Sequence, residues 1–162
     1  MVIFSGNQEN NKNMKTVYLI GTLSEDPATH IWRDEAVKLL QGFNTINPAA
    51  SIYDRKLLDK SDGDPKVFYK WTRKKVSEIL LPKSFQSVIQ SDILLANLAI
   101  EPVGRPMIGT IFEIAWAWQL NKPIIAIKDD NFYSQHPMVT KAVHALVDSV
   151  EEGCKIIVEF FS

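Results

Sequence analysis

The segment Thr16–Gly21, with the sequence TVYLIG, sets the architecture that we expect for this chain. Its first five residues carry no charge and are rich in β-branched and aromatic side chains, which is typical of a strand buried on both faces. The glycine marks the end of that strand. Strands buried on both faces occur in parallel sheets that are covered by helices. The segment therefore predicts an α/β protein.

Outward from this segment, short β-rich runs alternate with longer runs of helical periodicity. This is the pattern of parallel strands joined by crossover helices. Further strands are predicted at 44–47, 92–98, 123–127 and 155–160. Helices are predicted from about 29 to 43, over 66–81 and 83–90, from 109 to 121, and over 139–150 with Gly153 as its cap. Together they predict one doubly wound domain, flavodoxin- or Rossmann-like, with a mostly parallel five-stranded sheet and helices on both faces.

The composition limits the classes of function. The 162 residues fit one domain, and 18 basic against 19 acidic residues give a net charge of −1, which disfavours binding of polymeric nucleic acid. Basic and aromatic residues interleave over 66–75, and we interpret that run as a solvated helix face. One cysteine, Cys154, excludes an internal disulfide, and three dispersed histidines do not make a structural zinc site. We expect neither a metal nor a cofactor.

The first 13 residues differ from the rest of the chain. They contain a short apolar run and a polar, asparagine-rich stretch, without the basic start and longer apolar core of a secretory signal. We expect residues 1–13 to be a mobile extension and 14–162 to be the folded domain. No apolar stretch of about 18 residues is present to span a bilayer. These features favour a cytoplasmic protein that does not bind membranes.

Candidate site residues follow from the predicted topology. Ligands of open parallel sheets bind beyond the carboxyl ends of the strands, where the strand order reverses. The turn at Gly21, the strand exit at Asn97 and the helix that opens with Gly109 and Thr110 are expected there. Arg105, in the loop before that helix, could meet a phosphate at the helix N-terminus.

The helix 109–118, with the sequence GTIFEIAWAW, contains a single carboxylate, Glu113. Its neighbours one turn away are Gly109 and Ala117, so a ligand could approach the carboxylate from either side. A second interpretation is a capping box, in which Thr110 caps the helix and Glu113 satisfies a backbone donor. The pattern alone leaves both interpretations open.

Several segments, in order and spacing, resemble the nucleoside 2-deoxyribosyltransferase family, and the resemblance spans about residues 16–160. The segments are Tyr18–Gly21 (YLIG), Ser91–Leu98 (SDILLANL), Gly109–Ile114 (GTIFEI), Lys122–Ile125 (KPII) and His136–Val139 (HPMV). The resemblance implies an enzyme in which the Glu113 carboxylate attacks the anomeric carbon of a nucleoside or nucleoside monophosphate. A covalent glycosyl-enzyme forms, and a purine or pyrimidine acceptor base, or water, then takes the sugar.

The same resemblance gives roles to other residues. It implies that Tyr18 orients the nucleophile by a hydrogen bond, although an aromatic residue that only packs in a buried strand remains an alternative. Asn97 is a candidate for binding sugar or base. Asp92 is a weaker candidate, because it lies at the far end of its strand and is better placed to anchor the turn before it. The family's assembly implies a homo-oligomer, with Trp116 and Trp118 as candidate interface residues.

Two positions depart from the family's pattern. The family usually has an acid where this chain has Ser84, and often an acid or a serine where it has Met107. The acid catalyst is therefore unassigned. This favours, as an alternative, a non-catalytic nucleotide-binding sensor of the same fold. A phosphoribohydrolase-like nucleotide hydrolase is a further alternative, because 109–113 partly matches the glycine-threonine-glutamate end of that family's motif.

Overall fold

The computed structural model describes residues 14–24, 26–52, 81–101 and 106–162. In these ranges strands and helices alternate along the chain, as predicted. The strands are β1 (Thr16–Gly21), β2 (Asn44–Ile46), β3 (Ile93–Asn97), β4 (Ile124–Ile127) and β5 (Ala145–Val147). The helices are α1 (Ile31–Leu39), α2 (Pro48–Ile52), α3 (81–90), α4 (Ile108–Gln119), α5 (Phe132–Gln135), α6 (Pro137–Ala142) and α7 (Val150–Phe161), and a 3-10 turn, Pro27–His30, leads into α1.

The strands form one sheet in the order β2-β1-β3-β4-β5, and every pair is parallel. The strand order reverses between β1 and β3, and this is where doubly wound folds of this order bind ligands. In that pair Gly21 lies opposite Asn97, so the carboxyl ends of the two strands end level with each other. The predicted α/β fold class is confirmed.

Helices cover both faces of the sheet. Each strand contributes to both layers of the core, because its side chains alternate between the two faces. Val17 and Leu19 of β1 face a core cluster that contains α1 and α7. Tyr18 and Ile20 face the opposite cluster, which contains residues of α3, α4 and α6. Cys154 is buried in the first cluster.

The predicted end of the chain is wrong. Residues 139–150 are not one helix, because α6 ends at Ala142 and the last strand is β5. The segment 155–160, predicted as a strand, lies within α7. The start of α7 explains the difference: Ser149 accepts a hydrogen bond from the backbone N–H of Glu152 at 3.1 Å, and the Glu152 carboxylate accepts one from the N–H of Asp148. This capping arrangement begins a helix just where the sequence analysis expected one to end.

Gly153, predicted to cap the preceding helix, instead lies inside α7 and faces the sheet. A Cβ atom at this position would lie 3.0 Å from Leu95 Cδ1 and 3.4 Å from Val147 Cγ2. The glycine therefore lets the helix backbone approach the sheet closely, which is a packing role rather than a turn.

Within α1, Arg33 is fully buried, whereas the apolar Leu39 is 42% exposed. The mobile extension 1–13, residues 66–80 of the basic helix and Arg105 lie outside the described residues. No helix in the described ranges is both long and apolar enough to cross a membrane.

Candidate active site

Glu113 lies in the second turn of α4, on the side of the helix that faces the sheet. The helix begins at Ile108 after Met107, and Met107 makes no side-chain capping bond. Thr110 is therefore inside the helix and is buried, so the capping-box interpretation of Thr110 and Glu113 is wrong. The carboxylate is left to contact another element.

That element is β1. The Tyr18 hydroxyl donates a hydrogen bond to Glu113 Oε1 at 2.6 Å, and the exposed fractions of the two residues are 2% and 8%. A short bond to a carboxylate in a place with little water fixes the orientation of the acceptor group. The structure thus brings together the two residues for which the sequence analysis expected catalytic roles.

Burial of Glu113 opposes its charge, whereas its polar and charged neighbours favour it. Burial raises the pKa of Glu113 to about 7, although hydrogen bonds from Tyr18 and Ser84 and the charge of Arg33 act in the opposite direction. Burial, followed by the charge of Glu113, raises the pKa of Tyr18 far above its ordinary value. Tyr18 is therefore a hydrogen-bond donor throughout the neutral pH range, while Glu113 exchanges its proton near neutrality.

Helix α3 packs against the same part of the core as Tyr18 of β1 and helix α4. Its Val88 is fully buried in the cluster that contains Tyr18, and the Phe85 ring lies 5.2 Å from the Trp116 ring of α4. Ser84 is half-buried on this helix, near enough to lower the pKa values of both Tyr18 and Glu113. The position that departs from the family's pattern is thus part of the site.

The carboxyl ends of β1 and β3 form the floor beside this pair. Asn97 is buried, and its Oδ1 accepts a hydrogen bond from the backbone N–H of Ala99 at 3.0 Å. A Cβ atom on Gly21 would lie 3.2 Å from both the Asn97 carbonyl oxygen and the Trp32 ring. The absence of a side chain at Gly21 is what allows these three groups to pack together.

Arg33, which was not among the predicted site residues, binds the carboxyl end of β1 from helix α1. Its guanidinium donates to the carbonyl oxygens of Leu19, Gly21 and Thr22 at 3.4, 3.1 and 3.3 Å. It also lies over the Trp32 ring, 4.6 Å from the ring centroid. A signal was available, because position 33 is one turn before the apolar Ala36 and two turns before Leu40, and a charge on that side of a helix demands buried acceptors.

His30 extends this network. Its Nδ1 lies 3.0 Å from Arg33 Nη1, and its Nε2 lies 2.9 Å from the Ser24 carbonyl oxygen. Arginine has only donors and a carbonyl has only lone pairs, so Nδ1 accepts and Nε2 carries the proton. Burial lowers the pKa of His30, in agreement with this neutral form.

Two hydrogen bonds tie the segment after β4 to the loops around the site. The Tyr133 hydroxyl accepts from the backbone N–H of Met107 at 2.8 Å, and the Asn131 amide donates to the Leu98 carbonyl at 2.6 Å. Together they fix the start of α4, and therefore Glu113, relative to the end of β3.

The remaining predicted residues lie as follows. Gly109 is exposed in the first turn of α4, with open space where a Cβ atom would stand. Asp92 lies at the opposite end of β3, where its carboxylate accepts from the Thr16 N–H at 2.7 Å, so the structure does not bring it to Glu113. Across the described ranges, no group of three His, Cys, Asp or Glu side chains is placed to hold a metal ion.

Comparisons with known proteins agree with this architecture. No protein-family model matches the chain, and no curated protein matches it. Among solved structures, a 2-desoxiribosyltransferase from Leishmania mexicana has a TM-score of 0.58 and 18% identity, over 91% of this chain and 99% of that one. The CMP N-glycosidase BcmB of Clostridium botulinum has a TM-score of 0.48 and 12% identity, over 89% and 99%. The resemblance to the nucleoside 2-deoxyribosyltransferases therefore extends from the sequence motifs to the fold of the Leishmania enzyme.

Proposed function

We propose that this protein cleaves or transfers the N-glycosidic bond of a nucleoside or nucleoside monophosphate, with Glu113 as the nucleophile. One observation carries the proposal: the carboxylate of an apolar helix is buried beside the strand-order reversal and receives a 2.6 Å hydrogen bond from Tyr18. A carboxylate with a purely capping role would turn back to its own backbone. This one is held by a side chain from another element.

The chemistry follows from the charges. An oxocarbenium-like transition state at C1′ is stabilised by a nearby anion, and a carboxylate can also form a bond to that carbon. Tyr18 holds Oε1 of Glu113, which leaves Oε2 as the attacking atom. The Oε2–C1′ bond forms while the C1′–N bond breaks, and the base leaves with the electron pair and takes up a proton from solution.

The second half of the reaction returns the enzyme to its starting state. Water or the nitrogen of a second base attacks C1′, and the Glu113 carboxylate leaves with its electrons. The attacking group loses a proton to solution. The pKa of about 7 suits both halves, because a carboxylate that is not strongly solvated is a better nucleophile and is still an adequate leaving group.

The test is incubation of the purified protein with a panel of nucleosides and nucleoside monophosphates, with and without an acceptor base. We expect chromatography to detect released base without acceptor for a hydrolase, and exchange only with acceptor for a transferase. Glu113→Gln should abolish both. Glu159→Gln, at an exposed residue that pairs with Lys155 far from the site, is the matched control and should retain full activity.

A covalent intermediate is tested separately. Protein quenched in acid during turnover should show, by intact mass, an increase equal to one sugar moiety, and Glu113→Gln should not. Binding of nucleotides without turnover by the wild-type protein would overturn the enzymatic proposal and favour the sensor alternative.

We also propose that the protein is a homo-oligomer in solution. Trp118 is 60% exposed, whereas Trp116 is partly covered by the rings of Phe85 and Phe112. Light scattering at micromolar concentration tests this, and a monomer would contradict it.

A further inference from the structure

Asn97, the last residue of β3, lies where the strand order reverses and is only 3% exposed. Side chains of a strand alternate between the two faces of the sheet. Ile93 and Leu95 of β3 belong to the cluster that contains α1 and α7, so Asn97 points to that face. Glu113 lies on α4, whose buried apolar residues belong to the opposite cluster. Asn97 and Glu113 therefore border the carboxyl end of the sheet from opposite faces.

The orientation of the Asn97 amide follows from its hydrogen bond to the next turn. The backbone N–H of Ala99 donates to Oδ1 at 3.0 Å, so the oxygen faces the turn and the NH2 group takes the other side. Nδ2 forms no hydrogen bond in the described part of the chain. Every buried side-chain nitrogen or oxygen in these ranges has a partner, so Nδ2 is not sealed in the core. The donor end of a buried residue therefore reaches the crevice beyond the strands.

A second asparagine near this edge of the sheet shows the contrast. Asn131 accepts a hydrogen bond from the Ser134 N–H at 2.9 Å, and its Nδ2 donates to the Leu98 carbonyl oxygen at 2.6 Å. Both ends of that amide are occupied, whereas the turn after β3 occupies only the oxygen of Asn97. Gly21 lies opposite Asn97 on β1, and a Cβ atom there would stand 3.4 Å from the Asn97 Cβ. The glycine thus leaves Asn97 uncovered by β1.

The proposed reaction determines which part of a substrate lies near this donor. A carboxylate that displaces a base from C1′ attacks the face of the sugar opposite the C1′–N bond. Because Glu113 attacks from the α4 face, the base lies on the far side of the sugar, towards the α1 face. Nucleobases carry carbonyl oxygens and ring nitrogens that accept hydrogen bonds, and an amide NH2 group is a suitable donor for them.

We propose that Asn97 recognises the nucleobase, with Nδ2 donating a hydrogen bond to a carbonyl oxygen or a ring nitrogen of the base. The placement of the base rests on the function proposed above, whereas the orientation of the amide does not. Because Ala99 holds the oxygen, the site presents a donor and no acceptor at this point. A base with a donor there would leave two groups unpaired, so the amide selects among bases.

Two substitutions separate recognition of the base from the turn. Asn97→Asp and Asn97→Ser both keep an oxygen that can accept from the Ala99 N–H, and both remove the NH2 donor. Nucleoside affinity is measured by calorimetry in the Glu113→Gln protein, in which we expect no turnover. Asn97→Ser should weaken binding of the preferred nucleoside about five- to tenfold, and Asn97→Asp should weaken it more, because a carboxylate repels an acceptor. Binding of ribose 5-phosphate and deoxyribose 5-phosphate, which lack the base, should change less than about twofold.

Asn44→Asp is the matched control for the added charge. Asn44 is exposed and pairs with Thr16 at the amino end of the sheet, away from the crevice. This variant should keep the nucleoside affinity of its parent. Thermal unfolding shows that each variant is folded, and the neutral Asn97→Ser keeps the test decisive if a buried charge destabilises Asn97→Asp. Unchanged nucleoside affinity in folded Asn97→Ser, or an equal loss for nucleoside and sugar phosphate, would overturn the inference.

Turnover separates this inference from the proposed function. In the active protein, Asn97→Ser should lower kcat/KM for the preferred nucleoside by about the factor lost in affinity. A wild-type protein that binds nucleosides without turnover would defeat the proposed function, and the affinities of wild type and Asn97→Ser would still decide the inference. Turnover together with full nucleoside affinity in both Asn97 variants would defeat the inference alone.

Discussion

Tyr18 and Glu113 are 95 residues apart in the chain, and their side chains are joined by a hydrogen bond of 2.6 Å. The tyrosine comes from the first strand of the sheet and the glutamate from the helix that follows the third. Neither residue has this environment until β1 and α4 have packed against each other. The bond therefore depends on the tertiary structure.

Replacement of Tyr18 by Phe should raise the pKa of Glu113 above about 7, because a donor to the charged form is lost while burial remains. Hydrogen bonds to charged groups contribute about 1.5–3 kcal/mol, so we expect kcat/KM at pH 7 to fall by about 10- to 100-fold. The loss should be smaller at pH 9, where more of the carboxylate is ionised. A pH profile of kcat/KM measures both effects, and a loss that is the same at every pH would show that Tyr18 does not act through the ionisation of Glu113.

Glu113 should make the folded protein less stable as the pH rises. Its pKa is raised from the ordinary 4.5 to about 7, so the folded chain binds this proton more tightly than the unfolded chain. By linkage, stability is fully present below about pH 4.5 and is lost as pH rises through the folded pKa, by about 3 kcal/mol in total.

Glu113→Gln removes this titration. Its free energy of unfolding relative to the wild type should therefore increase by up to about 3 kcal/mol between pH 4.5 and pH 8, while activity is lost. Urea unfolding of both proteins at several pH values measures the difference. A difference that does not depend on pH would contradict the raised pKa.

Gly21→Ala should destabilise the folded protein at the carboxyl end of β1, next to the site. The added methyl group would meet the Asn97 carbonyl oxygen and the Trp32 ring at 3.2 Å, and the carbonyl is part of the backbone and cannot move aside. Overpacking of this kind costs about 1–3 kcal/mol. Gly42→Ala, where no atom lies within 4 Å of the new methyl group, is the matched control in thermal unfolding. Equal melting temperatures for the two variants would be inconsistent with the close packing at Gly21.

Ser149→Ala should weaken the start of α7. The substitution removes the acceptor of the Glu152 N–H at the first turn, and loss of such a cap costs about 0.5–2 kcal/mol. Glu151→Gln keeps the hydrogen bonds of both Ser149 and Glu152 and should cost less. Denaturant midpoints of the two variants and the wild type give the comparison. A denaturant midpoint of Ser149→Ala equal to that of the wild type would mean that the packing of α7 on the sheet alone sets the start of the helix.

The central strands were predictable because burial on both faces requires an almost continuous run of apolar residues. Thr16–Gly21 and Ile124–Ile127 are almost continuous apolar runs, and both are strands in the structure. In the last third of the chain the sequence pattern indicates the secondary structure less clearly. Ala145–Val147 is a strand of three residues, too short to show a period, and 155–160 has β-branched residues that α7 accommodates. Tertiary packing and the Ser149 cap outweigh local propensity there.

The site was predictable to the extent that a residue type was unusual in its surroundings. A lone carboxylate in an apolar helix singled out Glu113, and the resemblance to the nucleoside 2-deoxyribosyltransferases brought in Tyr18. Ser84 was noticed only as a departure from a pattern, because a serine on a helix is common and its contacts across space leave no periodic signal. Arg33 was missed for a related reason: its partners are backbone carbonyls, which every sequence has.

The clamp that Arg33 forms has a consequence for ligand binding. Three carbonyl groups at the carboxyl end of β1 and the turn after it are already tied to α1 through one planar cation, so this end of the strand is held in place before any ligand arrives. Less conformational entropy is then lost on association, and selection by shape becomes stricter. A lysine at this position, with a single ammonium group in place of the fork, would leave some of these buried carbonyls unpaired and hold the end of β1 less firmly.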